Sequence, residues 1–419
     1  MELVTGAIAA GGGCVARADD GRVVFVRHSL PGERVIVEVT SETRSFLRAD
    51  AVDVLEASDD RVVPPCPLAG PGRCGGCDWQ HVALPAQRVL KESLVAEQLR
   101  RLAGVDRVVT VEAVPGSPDG LGWRTRVRFA VDRTGQVGLH RHRSHDLEPV
   151  ARCPLATDAV NGVAVGASRW RGAHHVEVTA SPDGGRPVVA VETGRRALAD
   201  PPRMTAGLVV NGRTRHRPDR VYFTVDGSRF GVSAGVFWQV HPGAGAVLTR
   251  CVLEGLAPRP GERVADLYAG AGLFTVPLAR AVGPRGSVVA VERSGRACAD
   301  AVGNADDLHQ VEIVRSEVDA DLVADGLGAP DLVVLDPARE GAGRSVMAAL
   351  MSLRPAPRGL AYVSCDPASF ARDLRVALDA GWTMDSLRGF DLFPMTEHVE
   401  LVAILLPPGS PGSPDRQTS

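Results

Sequence analysis

Lysine is almost missing from this chain of 419 residues: Lys91 stands alone among 47 basic residues, and every other fixed positive charge is an arginine. Alanine, glycine and arginine are raised together, so the bias reads as genomic composition, and arginine abundance by itself is no argument for nucleic acid. Long apolar runs are lacking too, which excludes a helical membrane protein. The N-terminus, Met1-Glu-Leu-Val-Thr-Gly, lacks the basic segment and apolar stretch of a secretory signal, so the expectation is a soluble cytoplasmic protein. There is no extracellular disulfide framework either. Three of the eight cysteines crowd between Cys66 and Cys77, a pattern that reads as a metal site plus single residues. A net charge of −3 argues against indiscriminate nucleic-acid binding by the whole surface and leaves only local basic patches. At 44.1 kDa the chain has room for two or three domains, each with its own core.

What is present is organised around Gly359-Leu-Ala-Tyr-Val-Ser-Cys-Asp-Pro-Ala-Ser369. The apolar run Leu360 to Val363 reads as a buried strand with Ser364, Cys365 and Asp366 at its C-terminal end. Open α/β sheets bind ligands just beyond that end of their strands. A lone cysteine is more often a small core hydrophobe. Its place at a strand end, beside an acid, makes Cys365 the candidate nucleophile. A second run, Asp331-Leu-Val-Val-Leu-Asp-Pro337, ends at Asp336, where Pro337 stops ladder pairing and turns the chain into a loop. A third, Glu262-Arg-Val-Ala-Asp-Leu-Tyr-Ala-Gly-Ala-Gly272, carries Asp266 and Tyr268 into Gly270 and Gly272, suited to close approach of a ligand. Glu292 ends the next strand, where an acid accepts hydrogen bonds from ribose hydroxyls. A third glycine at the dinucleotide spacing is absent, as is a Lys-Ser/Thr pair after the turn. NAD and ATP therefore fit poorly, and S-adenosylmethionine, an adenosine without pyrophosphate, fits better.

In chain order, residues 3–57 alternate apolar and polar positions between turn signals and predict about five short strands in a small β-barrel. Its glycine-rich start, Val-Val-Phe-Val-Arg-His, Leu-Pro-Gly-Glu and final strand resemble a TRAM domain, an OB-like barrel found on RNA-modifying enzymes. Next, Cys74-Gly-Gly-Cys77 allows a tight backbone turn that points both thiolates at one ion or cluster, with Cys66 upstream as a third ligand. For the fourth ligand, Cys153 repeats the Cys-Pro pairing of Cys66, while His81 competes and would favour zinc. Residues 86–103 have the spacing of an amphipathic helix with a solvated charged face. Between residues 121 and 145, arginines 124, 126, 128, 133, 141 and 143 face a single acid, Asp132. With Trp123 as a stacking surface and Arg124, Arg126 and Arg128 on one strand face, this stretch is expected to contact RNA. Residues 160–225 read as β-rich, with a second basic cluster from Arg213 to Arg220.

From Tyr222 the pattern turns to βα alternation. A helix is expected over 243–256, strands over 262–268, 287–292, 311–314, 331–336 and 359–365, and helices over 273–282, 294–304, 343–353 and 367–379. Two final strands, 386–393 and 398–406, are too close together for a crossover and predict an antiparallel hairpin. A thiolate beside a methyl donor has a definite use. Uracil C5 is a poor nucleophile, but thiolate addition at C6 turns the ring into an enolate whose C5 can attack a sulfonium methyl. A base must then take the C5 proton. The segment Phe390-Asp-Leu-Phe-Pro-Met-Thr-Glu-His-Val-Glu400 offers Glu397, His398 and Glu400. Glu400, at the start of the last strand, is favoured because half-burial raises its proton affinity towards a base's working range.

Asp336-Pro-Ala-Arg-Glu-Gly341, Tyr362-Val-Ser-Cys-Asp366 and Asp391-Leu-Phe-Pro-Met-Thr-Glu-His-Val-Glu400 resemble the signature segments of the RNA (uracil-5-)-methyltransferase family. With the N-terminal barrel and the four cysteines, the chain is similar over nearly its whole length to the branch that methylates 23S ribosomal RNA. The chain accordingly divides into an OB-like TRAM β-barrel (1–58), a β-rich central domain (59–221), an α/β Rossmann-like class I methyltransferase domain (222–407) and a disordered tail (408–419). The resemblance implies Cys365 as nucleophile and Glu400 as base. It implies Gln239, Tyr268, Glu292 and Asp336 lining the S-adenosylmethionine site, beside Asp266, Gly270 and Gly272 of the glycine turn. It also implies a 4Fe-4S cluster on Cys66, Cys74, Cys77 and Cys153, structural or RNA-binding rather than redox-catalytic, and a flipped uridine entering between the catalytic and central domains. The expected enzyme is a monomer acting on RNA, 23S first and transfer RNA as the alternative. A non-catalytic RNA-binding protein that keeps the fold is the alternative of another class. Asp366, Ser369, Leu273 and His241 depart from the family pattern, and Cys66 lies two residues further from Cys74 than is usual. The charge of Asp366 is expected to raise the Cys365 pKa unless it is paired, with Arg339 as the candidate partner.

Overall fold

The computed structural model describes residues 1–194, 197–198 and 201–410, so nearly all of the expected tail lies outside the described residues. In the N-terminal segment, Leu3, Val24, Val26, Val35, Val37, Leu47 and Ala49 point to one side and form a core. The alternation works because a strand's side chains change face at every residue. The five strands are ordered Glu2–Val4, Arg34–Glu42, Phe46–Glu56, Val23–Arg27 and Cys14–Arg17. The two outer strands are bridged outside the ladder, by Gly6 N to Val15 O at 2.7 Å and Val15 N to Ala7 O at 2.9 Å.

A seven-stranded sheet follows, antiparallel except where Val188–Thr193 runs parallel to Gly207–Val210. Two expectations for its basic stretch change here. Trp123 is fully buried, with its ring centroid 6.1 Å from that of His241 and 6.0 Å from that of Phe393, so it offers RNA no stacking surface. Arg124 falls before the strand Arg126–Val131 and lines a cavity among cysteines, leaving Arg126 and Arg128 on the expected face.

The catalytic layer contains α1 (Leu84–Gln98), β1 (Val111–Ala113), α2 (Ala244–Leu256), β2 (Arg263–Leu267), α3 (Thr275–Val282), β3 (Ser287–Glu292), α4 (Gly295–Asn304) and β4 (Val311–Arg315). It continues with β5 (Leu332–Leu335), α5 (Arg344–Ser352), β6 (Gly359–Ser364), α6 (Pro367–Asp379), β7 (Thr383–Asp391) and β8 (Glu400–Leu406). The sheet order is β4-β3-β2-β5-β6-β8-β7-β1. Every residue of β5 and β6 is buried, because helices cover both faces of a parallel sheet and its strands become continuous apolar runs. The β7–β8 hairpin forms as the short connection predicts, with β8 antiparallel to both neighbours. Although α1 and β1 precede the central sheet in sequence, they pack here: Val95, Leu99, Val109 and Val111 share a core with Phe370, Leu374 and Leu401. Among the described residues no helix is long and apolar enough to cross a membrane.

Candidate active site

The chain leaves β2 towards one side of the sheet and returns to β5 on the other, and the crevice beyond their C-terminal ends is where such a sheet takes its ligand. Asp266 lies near the end of β2, Asp336 follows β5, Cys365 follows β6 and Glu400 begins β8. Because β8 runs against β6, its start lies at the same edge. Ser364 pairs with Leu401 at the end of the ladder, so Cys365 and Glu400, the next residue on each side, stand at the same edge. On its other side Glu400 pairs with Phe390 near the end of β7.

Burial governs the charges at this edge. It pushes Cys365 up to about 12, with Glu400, Asp336 and Asp366 adding to the rise and Arg339 pulling it down. Glu400 is held well above the usual carboxylate range by burial and by Asp336, again opposed by Arg339. Asp336 is raised to about 7 by burial and by Asp266. Asp266 also rises to about 7, chiefly by burial and against its hydrogen bonds from Thr275. Burial and mutual repulsion thus disfavour full ionisation of all three carboxyls at once and raise the proton affinity of each. The side chain of Asp366 does not pair with Arg339 as expected. It accepts from Ser369 N at 2.7 Å and caps α6, so the two departures Asp366 and Ser369 form one capping unit. Arg339 instead lies with Nη2 3.1 Å from His398 Nε2.

The other expected residues have the following surroundings. Asp266 Oδ2 accepts from Thr275 Oγ1 at 2.5 Å, while Oδ1 is buried with no partner, a vacancy that a ligand's N–H or O–H would satisfy. Tyr268 and Gly270 both adopt left-handed backbone, φ +64° and +56°, which turns the chain sharply after β2. Glu292 accepts from Gly270 N at 3.1 Å and Ser294 N at 2.6 Å, and keeps lone pairs for a pair of hydroxyls. Gln239 is buried in the segment before α2, next to Val240, whose carbonyl accepts from Thr125 N and Oγ1 at 2.9 Å each. His241 contacts Ser117 Oγ through Nε2 at 3.0 Å and accepts from Gly243 N, and Leu273 belongs to the apolar core. The set fits S-adenosylmethionine: acids for the ribose and amino groups, and no phosphate cradle.

Sequence reasoning passed over the residues that hold the Asp336–Gly343 loop. Asp373 on α6 accepts from Tyr362 Oη at 2.6 Å, Ala342 N at 2.8 Å and Gly343 N at 3.1 Å. Tyr362 lies inside an apolar run, and no local pattern marks Asp373, on a helix, as an anchor for that loop.

Cys66, Cys74, Cys77 and Cys153 line one cavity together with Gln80 and Arg124. Gln80 donates to Cys77 Sγ at 3.1 Å and accepts from Cys66 N at 2.9 Å. Burial pushes Cys77 up to about 12 and raises Cys74, while Arg124 acts in the other direction on both. Arg124 Nε is buried without a partner. Among the described residues no three His, Cys, Asp or Glu gather as a group able to hold one metal ion. His81 lies away from the cavity, its Nε2 3.4 Å from Ser29 O, so it does not complete a zinc site there.

A doubly wound sheet with acids at its switch point, and a cysteine and a carboxyl at the adjoining strand ends, is the architecture of an S-adenosylmethionine-dependent methyltransferase domain. Residues 3–52 match the TRAM domain. The chain is 44% identical to an uncharacterized RNA methyltransferase of Streptomyces avermitilis, over 97% of this chain and 98% of that one. It is 33% identical to the 23S rRNA (uracil(1939)-C(5))-methyltransferase RlmD of Edwardsiella ictaluri, over 93% and 92%. The fold also matches the crystal structure of Pyrococcus abyssi tRNA (uracil-54, C5)-methyltransferase in complex with S-adenosyl-L-homocysteine, with a TM-score of 0.73 at 22% identity, over 97% of this chain and 100% of that one. The chain belongs to the RNA (uracil-5-)-methyltransferase family.

Proposed function

We propose that the protein methylates C5 of a uridine in 23S ribosomal RNA, with Cys365 as nucleophile and Glu400 as base. The observation that carries this reading is the β6–β8 register, which ends at Ser364 opposite Leu401 and so brings Cys365 and Glu400, the next residue of each strand, to one sheet edge, near enough for the Glu400 carboxyl to raise the thiol. S-adenosylmethionine supplies an electrophilic methyl group there, held by Asp266, Tyr268, Gly270, Gly272, Glu292, Asp336 and Gln239. Arg339 favours the thiolate of Cys365, which bonds to uracil C6 and pushes the ring electrons towards C5 and the C4 carbonyl. C5 then bonds to the methyl carbon, whose bond to sulfur breaks. Glu400 takes the C5 proton, the ring double bond re-forms, and the C6–S bond breaks to return the thiolate. Both groups come from one chain, in keeping with a monomer, and a ribosomal RNA substrate implies a cytoplasmic enzyme.

Incubation with labelled S-adenosylmethionine and total RNA from a strain lacking the gene is expected to place label in 5-methyluridine of 23S RNA. Label confined to transfer RNA would keep the chemistry and replace the substrate. Absence of label from both would favour the non-catalytic RNA-binding alternative.

The cysteine cavity is part of the same proposal: Cys66, Cys74, Cys77 and Cys153 hold a 4Fe-4S cluster. What supports the reading is that all four cysteines line one cavity, the ligand number that such a cluster takes. Arg124, with its unpartnered Nε, supplies positive charge beside the thiolates. Protein purified without oxygen is expected to be brown, and Cys74→Ala and Cys77→Ala to lose the visible absorbance; stoichiometric zinc in place of iron would refute the cluster.

A further inference from the structure

The one lysine of the chain is fully buried, and it lies beside the proposed active site. Lys91 sits on α1 with Gln87 one turn before it, so the two side chains share a face of the helix. That face meets the excursion of the β7–β8 hairpin, residues 391–399, which leads directly into Glu400. Lys91 Nζ donates to Asp391 Oδ1 at 2.5 Å and to Phe393 O at 3.0 Å. Gln87 Oε1 accepts from Met395 N at 2.8 Å, and its Nε2 donates to Val82 O at 2.8 Å and Trp79 O at 3.1 Å. Met395 O in turn accepts from Trp79 N at 3.0 Å. Met395 adopts φ +67°, a conformation uncommon outside glycine, and the bonds at its N–H and carbonyl keep it there. Phe393, held by its carbonyl, places its ring edge-on to His398 at 6.1 Å between centroids.

We infer that Lys91, with Gln87, is a positioning residue for the methyl-transfer reaction: the pair clasps residues 391–395 and thereby fixes where Glu400 stands relative to Cys365. The inference rests on the proposed role of Glu400. Phe390 is the register partner of Glu400, and Asp391 follows it immediately, so the ammonium anchors the chain at the point where β7 leaves the sheet beside the base. The chemistry also accounts for a lysine among so many arginines. An ammonium is compact enough to sit between a carboxylate and a carbonyl in a fully closed space, where a guanidinium fork needs more room and more acceptors. Neither residue is among those assigned to the cofactor, so cofactor affinity and base placement are separable.

Lys91→Met tests this. The expected result is S-adenosylmethionine affinity within twofold of the native protein and a kcat lowered about 100-fold, the scale of a misplaced catalytic group. A methyl-labelled protein–RNA adduct should accumulate on denaturing gels, because addition and methyl transfer proceed while proton removal stalls. A purely structural lysine would lower the amount of folded enzyme without changing how the folded fraction partitions between adduct and product. Since Lys91→Met leaves Asp391 buried without its partner, Lys91→Met/Asp391→Asn removes both charges and serves as the folding-safe variant. It is expected to melt near the native temperature and still accumulate adduct. Glu400→Gln separates the two proposals. Adduct in Glu400→Gln together with native turnover in both Lys91 variants overturns the clasp alone, whereas no adduct in Glu400→Gln overturns the base on which it rests.

Discussion

Cys365→Ala is expected to bind S-adenosylmethionine as the native protein does and to transfer no measurable methyl group to RNA, a loss of more than about 10⁴-fold. The loss is large because no other group at the site can activate C5. Glu400, Asp336 and Asp266 are carboxyls that favour their protons, and none can add to C6 and leave again as a thiolate does. Cofactor binding should survive, because the acids of the crevice come from β2, β3 and β5 and not from β6. The same thiol has a signature in the free protein. Its folded-state pKa is raised, so the neutral form is favoured and the thiolate fraction climbs with pH all the way to about 12. Alkylation of Cys365 by iodoacetamide should therefore accelerate about tenfold per pH unit from pH 7 to 10, whereas an ordinary exposed thiol levels off above its pKa of about 8.5. A plateau near pH 8.5 would mean that burial and the neighbouring carboxyls do not raise this thiol, whereas methyl transfer retained by the alanine variant would remove Cys365 from the mechanism.

Glu400→Gln should separate the two halves of the reaction. Without a base, addition at C6 and methylation at C5 proceed, but the C5 proton stays and the thiolate cannot leave. The expected outcome is a covalent protein–RNA species carrying the methyl label, with turnover lowered by roughly 10²–10⁴-fold, the usual worth of a positioned general base. Glutamine keeps the shape and removes the ionisable oxygen, and at a position buried beside Asp336 it also relieves carboxyl crowding, so the variant should be at least as stable as the native protein at pH 8. Turnover within a few-fold of native, with no trapped species, would transfer the role elsewhere. Glu397 is then the first alternative. It is raised to about 7 by burial and by Asp78, and its carboxylate accepts from Gly11 N of the N-terminal domain at 2.6 Å.

Much of this site was legible before any coordinates because the signals are local. A short apolar run that stops at an acid and a proline marks a strand end whatever it packs against, and this located Asp336 and Cys365. Two glycines after a strand mark a turn that a bulkier residue resists, and this marked the end of the strand that carries Asp266; the acid ending the next strand marked Glu292, while Tyr268 came from the family resemblance. The short link between the last two strands permits only an antiparallel pairing. That much follows from side-chain periodicity, the stiffness of proline and the freedom of glycine, all properties of a few neighbouring residues.

Tertiary structure alone decided what those ends face. That Cys365 meets Glu400 depends on a strand register spanning the whole of α6 and β7, and a slip of one residue would turn Glu400 to the other side of the sheet. Trp123, an aromatic amid arginines, could be an exposed platform or a core residue by pattern alone, and packing against His241 and Phe393 made it core. The placement of α1 and β1 on the catalytic layer, across the intervening central sheet, brought the only lysine to Asp391. Contacts of this kind are chosen by the fit of buried volumes and by the need of each buried charge for a partner, and neither is written in the spacing of residues along the chain.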